Sequence, residues 1–204
     1  MSVATAVIVM AKAPVPGFAK TRLIPALGAD GAAALAERLL HAAVAQAVAA
    51  AIGPVDLCCA PDRAHPAFAR HAGTPGVELS EQGEGDLGAR MARAFERRLL
   101  DGRRAVMIGT DAPALDAALV ARAAKALSEA DAVLVPAFDG GYALIGLRRP
   151  APSLFDAMPW STSSVMACTR ERLAAAGLSH VELPAVSDID EADDLVHLPP
   201  GWLP

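Results

Sequence analysis

The order in which strand-like and helical segments follow one another most constrains the fold of this chain. Apolar runs typical of buried strands alternate with helical segments from the N-terminus to about residue 136. Parallel strands need a crossover between them, so the alternation predicts a mainly parallel α/β sheet covered by helices. At Asp139-Gly140-Gly141 two strand-like runs follow each other without room for a helix. This segment therefore predicts one antiparallel hairpin.

Periodicity and turn residues also predict where each element lies. The first helix is expected from about Gly31 to Ile52, with Asp30 as its N-cap, and later helices are expected to be capped by Asp86 and Asp116. The other predicted elements are strands at 6–10, 55–60, 77–79, 104–109, 132–136, 142–147 and 181–183, and helices at 66–72, 87–100, 117–127, 163–176 and from about 192. All 204 residues are predicted to form a single domain.

The composition argues against several classes of protein. A formal net charge of −5 provides no field that attracts nucleic acid or anionic lipid, so an anion site must be local. The longest apolar stretch, residues 42–52, is too short to span a bilayer, and no basic segment precedes the first strand as in a signal peptide. Cys58 and Cys59 lie in a predicted buried strand, where packing is the expected role. The chain is predicted to be cytoplasmic.

The first loop is predicted to bind an anion. No acidic residue occurs between Met1 and Ala29, and an apolar strand leads into a Pro/Gly-shaped loop that carries Lys12, Gly17, Lys20 and Arg22. Backbone N–H groups and basic side chains of such a loop converge readily on the oxygens of a polyphosphate. The alternative is a solvated surface loop. Neither the P-loop pattern nor the dinucleotide-binding glycine pattern is present.

A second glycine-rich segment, residues 82–88, opens a predicted helix. Glycines such as Gly85 let a ligand approach the backbone closely, and Arg90 lies one turn into the helix. Asp86 is expected to cap this helix in any case. We predict that Gly85, Asp86 and Arg90 contribute to ligand binding; the alternative is a plain turn.

Carboxylates for a divalent cation lie far along the chain from the basic loop. Asp111 directly follows a buried strand, and the better-placed Asp116 leaves it free of a capping role. Asp188 and Asp190 precede the last predicted helix, where acidic residues also complement the helix dipole. We predict Asp111 and Asp190 as ligands of Mg²⁺ or Mn²⁺, since no His/Cys cluster argues for zinc.

Two further residues are candidates on the substrate side. Trp160 lies in a polar setting and is predicted to stack on a substrate ring, while Ser161 or Thr162 caps the following helix. Asp139 is a candidate general base that reaches into the cleft, the alternative being an ordinary hairpin turn residue.

Six motifs that occur in order resemble a bacterial protein family. They are Lys12…Pro14…Pro16-Gly17…Lys20-Thr21-Arg22-Leu23, Gly85-Asp86-Leu87-Gly88…Arg90-Met91, Gly109-Thr110-Asp111…Pro113, Asp139-Gly140-Gly141-Tyr142, Trp160-Ser161-Thr162 and Asp188-Ile189-Asp190. Over essentially the whole chain they resemble the GT-A-type glycosyltransferase family known as DUF2064. The resemblance implies a Rossmann-like nucleotide-diphospho-sugar transferase fold with helices on both faces of a mixed sheet, and it implies no known substrate.

Two differences from related sequences bear on the predicted function. The phospholactate guanylyltransferases are similar at Lys12 and at Lys20-Thr21-Arg22-Leu23, but usually have Gly-Gly-Thr where this chain has Gly140-Gly141-Tyr142. That difference favours the glycosyltransferase-like branch. Relatives often have Thr-Pro where this chain has Glu191-Ala192, so Asp190 is a candidate for the missing helix cap as well as for the metal.

The leading hypothesis is a metal-dependent transferase that passes the sugar of a nucleotide-sugar to an unidentified small-molecule acceptor. The basic residues of the first loop would offset the diphosphate charge, Asp111 and Asp190 would hold the metal, and Lys20 and Asp139 are the predicted catalytic residues. The alternative is nucleotidyl transfer from a nucleoside triphosphate to a phosphorylated acceptor. A third hypothesis is a nucleotide-binding module without catalysis. The oligomeric state does not follow from the sequence.

Overall fold

Strands and helices alternate along most of the chain in a computed structural model that describes residues 4–100 and 102–203. The strands are β1 (Thr5–Lys12), β2 (Val55–Ala60), β3 (Val77–Glu81), β4 (Arg104–Ile108), β5 (Ala132–Pro136), β6 (Tyr142–Leu147) and β7 (His180–Glu182). The α-helices are α1 (Ile24–Ala49), α2 (Pro66–Ala69), α3 (Leu87–Leu99), α4 (Ala117–Ala126) and α5 (Val165–Ala175). Short 3-10 helices lie at Thr21–Leu23, Pro152–Leu154 and Ala192–His197.

The seven strands form one sheet in the order β3-β2-β1-β4-β6-β5-β7. Strands β1 to β4 are parallel, and β7 is parallel to β5. Strand β6 is antiparallel to both of its neighbours, β4 and β5. The mainly parallel sheet with one hairpin is therefore confirmed. Because β6 is antiparallel to both neighbours, β5 runs in the same direction as β4. The carboxyl ends of the parallel strands and the β5–β6 turn therefore lie at the same edge of the sheet.

Side chains that alternate along the strands build two apolar layers. Val7 and Val9 of β1 pack with α1, α2 and α4 on one face, whereas Ile8 packs with α3 and α5 on the other. Helices thus cover both faces, as the family resemblance implies. Cys58 and Cys59 are buried in β2, one on each side, which agrees with the predicted packing role.

Most element boundaries agree with the sequence to within two residues, but the first helix does not. Helix α1 starts at Ile24, not Gly31, with a proline in its first turn, and Gly28 interrupts it (φ 72°, ψ 168°). Proline suits a first helical turn, and glycine tolerates the positive φ that bends the chain here. Asp30 consequently lies within α1 and is not its cap.

The later helix ends include both confirmed and wrong predictions. Asp86 and Asp116 cap α3 and α4, each accepting a backbone N–H at 2.8 Å. Helix α5 begins after Ser164, and Thr162 Oγ1 instead donates to the Pro159 carbonyl at 2.7 Å, so the cap predicted at residue 161 or 162 is wrong. The last predicted helix is a 3-10 helix.

Among the described residues, no helix is both long and apolar enough to cross a membrane. Residence in the cytoplasm stays a prediction.

Candidate nucleotide and metal site

The loops that follow β1 and β4 meet at the carboxyl edge of the sheet because these parallel strands are neighbours. The first loop ends at Lys20, whose backbone is left-handed (φ 47°, ψ 45°). Such a conformation is uncommon for a residue with a side chain and is often found at functional sites. Asp111 lies three residues beyond the end of β4.

A buried isoleucine holds the C-terminal segment against the same edge. Ile189 is fully buried among apolar residues that include Leu23 and Leu35, and its N–H donates to the Asp111 carbonyl at 2.9 Å. Its two neighbours, Asp188 and Asp190, are only partly buried. Packing of one apolar side chain therefore brings the Asp188-Ile189-Asp190 motif next to Asp111.

Lys20 joins these segments through its ammonium group. Its Nζ lies 2.5 Å from Asp111 Oδ1 and 2.8 Å from Asp190 Oδ1, and it donates to the Ile189 carbonyl at 2.6 Å. The Lys20 side chain is 8% exposed, whereas the side chains of Asp111 and Asp190 are 46% and 41% exposed. One buried cation is thus shared by two carboxylates whose other surfaces remain open.

The charge state of Lys20 follows from these contacts. Burial by itself lowers the pKa of Lys20, but the ion pairs and hydrogen bonds with Asp111 and Asp190 outweigh burial, and the net effect raises the pKa. Lys20 is therefore positively charged at neutral pH. The sequence predicted Lys20 as a phosphate ligand and the aspartates as metal ligands; here these groups contact one another.

Asp190 has its side chain free for this contact because another residue serves the 3-10 helix. Glu191 occupies the N-cap position, and Asp194 Oδ2 accepts the N–H groups of Asp190 and Glu191 at 2.9 and 2.7 Å. The expectation that Asp190 replaces the missing threonine cap is therefore wrong. The acidic pair Glu191 and Asp194 takes over that role.

The carboxylate pair fits a divalent ion only if other ligands complete the shell. Among residues 4–100 and 102–203, no group of three or more His, Cys, Asp or Glu residues is arranged to hold a metal. Mg²⁺ commonly takes one or two protein carboxylates and completes its octahedron with water and phosphate oxygens. Asp111 and Asp190 therefore fit a metal that is shared with a phosphorylated ligand.

A large cavity of about 1210 Å³ opens beside the Lys20 cluster. The predicted site residues on its wall are Lys12, Lys20, Arg22, Gly85, Arg90, Asp111 and Asp190. Lys12 Nζ donates to the Phe18 carbonyl at 3.1 Å, and the exposed Arg22 lies 3.5 Å from Glu191. Such exposed contacts are weak, so both cations can turn to a ligand. Phe18, which the sequence did not single out, is 69% exposed on the same wall.

The second glycine-rich loop is braced against the sheet by two side chains. Gln82 is buried, and its Nε2 donates to the carbonyls of Ala11 in β1 and Cys58 in β2, both at 3.0 Å. Arg93 of α3 donates to the carbonyls of Gln82 and Glu84. Gln82 belongs to the predicted glycine-rich segment, but neither Gln82 nor Arg93 was among its predicted binding residues. They give the loop a fixed position on the cavity wall.

Two of the ligand residues predicted in the two loops are not on that wall. Gly17 (φ 79°) supplies the positive φ of the first-loop turn, whereas its neighbour Phe18 lines the cavity. Asp86 lies between two lining residues, but its Oδ1 accepts the Ala89 N–H as a helix cap. Arg90 lines the cavity, and its Nε donates to the Gly85 carbonyl at 2.9 Å. Gly17 and Asp86 thus have local structural roles in the described chain.

A smaller cavity of about 290 Å³ adjoins the large one, and Asp111 lines both. Trp160 and Tyr142 form part of its wall, with ring centroids 6.5 Å apart and an interplanar angle of 80°. Asp139 lies on its rim and also accepts the Gly141 N–H at 2.8 Å. Asp139 therefore has the turn role and also faces the cleft. Stacking by Trp160 stays a prediction.

The β5–β6 turn is held in place by close packing at Gly140. A Cβ atom there would lie 2.3 Å from the Ser163 carbonyl oxygen, and the φ of +94° also requires glycine. The Gly140 carbonyl accepts the Met166 N–H at 2.8 Å at the start of α5. This contact fixes where Asp139 and Tyr142 stand relative to the cavity.

Asp188 is a site residue that the sequence did not place. It lines a third, small cavity together with Asp111 and Asp139. Burial, followed by repulsion from Asp139, raises the pKa of Asp188 to about 6. The signal in the sequence was the alternation of two aspartates around the apolar Ile189, which indicates one buried side chain flanked by two that face the cleft.

Comparison with known proteins places the chain among transferase-like folds. A protein from Desulfovibrio desulfuricans G20, a proposed nucleotide-diphospho-sugar transferase, is 33% identical; the alignment covers 94% of this chain and 84% of that one, with a TM-score of 0.85. A nucleotidyl transferase from Methanothermobacter thermautotroptrophicus is 14% identical and covers 98% of both chains, with a TM-score of 0.64. The manganese complex of Rv0371c from Mycobacterium tuberculosis H37Rv is 17% identical and covers 97% of this chain and 98% of that one, with a TM-score of 0.51. At these low identities the last two show the fold alone.

The sequence comparisons identify the family. No protein of curated function matches the chain. The model of the uncharacterized bacterial proteins DUF2064 matches residues 39–162, more than half of the chain. With the Desulfovibrio protein aligned over nearly the whole length, the fold is that of the nucleotidyl and nucleotide-sugar transferases. The chain belongs to the DUF2064 family.

Proposed function

We propose that this protein is a metal-dependent transferase that binds a nucleotide-sugar in the large cavity and passes the sugar to the hydroxyl of a small acceptor. The observation that carries the proposal is the Lys20 cluster, in which one ammonium group contacts both Asp111 and Asp190 at the mouth of a cavity lined by further cations. A diphosphate would pair with the Lys20 ammonium group, and a divalent cation would pair with the two carboxylates. A metal-bound diphosphate would therefore replace the internal ion pairs of this cluster. Kinship with a proposed nucleotide-diphospho-sugar transferase supports the same assignment.

Each charged residue has a role in binding the donor. Lys20 leaves the two aspartates and donates to the diphosphate, and Lys12 and Arg22 turn from their weak contacts to the same oxygens. Asp111 and Asp190 are then free to hold Mg²⁺ or Mn²⁺ with the phosphate oxygens. When bound, the metal supplies positive charge that stabilises the departing nucleoside diphosphate. The exposed ring of Phe18 offers a stacking face for the base.

The transfer requires a base for the acceptor. The acceptor oxygen forms a bond to the anomeric carbon, the bond from that carbon to the phosphate oxygen breaks, and the hydroxyl proton moves to a carboxylate. Asp139 lines both smaller cavities next to Asp111 and is placed to take that proton. Asp188 stands beside it and assists by keeping the local charge negative.

Nucleotidyl transfer is the second candidate. Four cations, Lys12, Lys20, Arg22 and Arg90, line the large cavity, enough to bind a triphosphate. In that reaction an acceptor phosphate attacks the α-phosphorus, pyrophosphate leaves and no base is needed. Asp139→Ala would then have little effect on turnover, whereas it would be damaging in glycosyl transfer.

Thermal shifts with nucleotides test the proposal. Nucleotide-sugars and nucleoside triphosphates are each measured with and without Mn²⁺, since a ligand at 100 times its Kd adds about 2.7 kcal/mol of apparent stability. For a chain of this length that corresponds to a rise of about 5–10 °C in Tm. A Mn²⁺-dependent shift with a nucleotide-sugar is expected. Shifts with triphosphates alone would favour nucleotidyl transfer, and no shift with any nucleotide would refute both.

A matched pair of variants assigns the binding to this site. Asp111→Asn should abolish the metal-dependent shift. Asp193→Asn removes the same charge from an exposed residue in the 3-10 helix and should leave the shift unchanged. If the two variants showed the same metal-dependent shift, Asp111 would not belong to the binding site.

A further inference from the structure

The smaller cavity differs in charge from the large one. Apolar side chains of three neighbouring strands form its floor, namely Met10 of β1, Met107 of β4 and Ile145 of β6, and α3 adds Met91. Its described lining residues include two aspartates, Asp111 and Asp139, and no Lys, Arg or His. The described lining side chains therefore carry no positive charge that would compensate a phosphate or carboxylate on a ligand.

The negative charge of this cavity comes mainly from Asp139. Asp111 shares its charge with Lys20 at 2.5 Å, whereas Asp139 accepts the backbone N–H of Gly141 at 2.8 Å and stands beside Asp188. Arg172 acts electrostatically on Tyr142, but its Nη1 donates to backbone carbonyls such as that of Leu154 at 3.1 Å. It does not line the cavity. An anionic ligand would thus meet net repulsion.

The wall of this cavity offers hydrogen-bonding groups without positive charge. Its lining includes the hydroxyl side chains of Thr110 and Ser161 and the carboxylate of Asp139. The rings of Tyr142 and Trp160, together with the methionines of the floor, add apolar surface. Such a lining suits a ligand that carries hydroxyl groups and has one apolar face.

We infer that the smaller cavity is the acceptor site, and that the acceptor is an uncharged hydroxy compound with one apolar face. This inference rests on the proposed function, because Asp111, the proposed metal ligand, lines both cavities. It also distinguishes the two candidate reactions, since a phosphorylated acceptor would be excluded from this cavity.

A single-tryptophan protein tests the inference without any catalytic turnover. The chain contains two tryptophans, and Trp202→Phe leaves Trp160 as the only reporter, in the wall of the smaller cavity. The probes are phenyl β-D-glucoside and its 6-phosphate, which differ by one phosphate group. We expect the neutral probe to change Trp160 emission saturably and the phosphorylated probe to bind at least tenfold more weakly. Asp139→Asn removes the negative charge that repels the phosphate group, so it should reduce the ratio of the two dissociation constants.

The outcomes separate this inference from the proposed function. Equal or tighter binding of the phosphorylated probe, or no binding of either probe, would overturn the inference. Nucleotide thermal shifts measured on the same protein report the large cavity independently. If those shifts persist while the glucoside does not bind, only the acceptor assignment fails; if they are absent, the proposed function fails as well.

Discussion

Two clusters of charge in this protein have similar chemistry and different consequences, although each is centred on a buried side chain. In one, Asp56 of β2 is fully buried and accepts Arg98 Nε at 2.9 Å and Ser80 Oγ at 2.5 Å, with Arg97 3.8 Å away. In the other, Lys20 contacts Asp111 and Asp190 at the edge of the sheet. The first has more than one cation for its central carboxylate; the second has two carboxylates for one cation.

Position in the sheet explains the difference. Asp56 lies inside a strand and is fully buried, and the side chain of its partner Arg98 is only 11% exposed. Asp111 and Asp190 lie beyond strand ends, with over 40% of each side chain exposed and both residues on a cavity wall. An ion cluster around a buried carboxylate maintains the fold, whereas an open one with surplus carboxylate can exchange its partner for a ligand.

Removing the enclosed carboxylate should have the largest effect. Asp56→Ala leaves Arg98 without its buried partner, and breaking a buried ion pair in this way costs about 3–5 kcal/mol of unfolding free energy. Urea denaturation followed by circular dichroism measures it. Glu78→Gln removes an exposed contact of the same arginine, at 2.8 Å, and should cost less than about 1 kcal/mol. Equal costs for the two variants would mean that burial does not distinguish these contacts.

The open cluster should give the reverse result. Asp111→Asn keeps the shape of a half-exposed side chain, so the unfolding free energy should change by less than about 1 kcal/mol. The Kd for a nucleotide with Mn²⁺ should nevertheless rise at least tenfold, or about 1.4 kcal/mol. Isothermal titration calorimetry gives the Kd. A large loss of stability with unchanged affinity would make this cluster structural, like that of Asp56.

Lys20 itself sharpens the comparison. Lys20→Met removes the ammonium group that pairs with Asp111 and Asp190. Free Mn²⁺ should therefore bind several-fold more tightly to the variant than to the unmodified protein. Electron paramagnetic resonance measures the bound fraction of Mn²⁺. The control is Lys12→Met, which removes the same charge from a side chain whose Nζ donates to the Phe18 carbonyl at 3.1 Å. Weaker Mn²⁺ binding in Lys20→Met would show that the ammonium group does not compete with a cation for these aspartates.

A third cluster, the histidine pair His41 and His71, should have the smallest effect on stability. His71 Nε2 lies 2.8 Å from His41 Nδ1, and burial, followed by the charges of His41 and Arg70, lowers the pKa of His71. The fold favours the neutral form of His71, so the contribution of this residue to stability is fully present above its ordinary pKa of 6.5. That contribution is lost as the pH falls below this value. His71→Gln should reduce the fall in Tm between pH 7 and pH 5 by no more than about 2 °C. If Tm fell further in His71→Gln than in the unmodified protein between pH 7 and pH 5, the contribution of His71 to stability would have the opposite sign.

The sequence determined the fold class and several helix caps because these depend on local signals. Periodicity predicted the strands, the run at Asp139-Gly140-Gly141 predicted the hairpin, and the short side chains of Asp86 and Asp116 reach N–H groups only three residues away. The start of the first helix was predicted wrongly because α1 has an extra turn before Gly28, and no side-chain N-cap marks that turn in the sequence. Motifs also predicted the family, which the comparisons confirm.

Only the tertiary structure decided what the site residues touch. Lys20 meets Asp190 across 170 positions of sequence, and this contact depends on which residues Ile189 packs against, Leu23 and Leu35 among them, which no local pattern reveals. The apolar floor under Trp160 depends on strand order, since Met10, Met107 and Ile145 become neighbours only because β4 lies between β1 and β6. Local propensity fixes which elements form; packing over long distances in the chain fixes which charges meet.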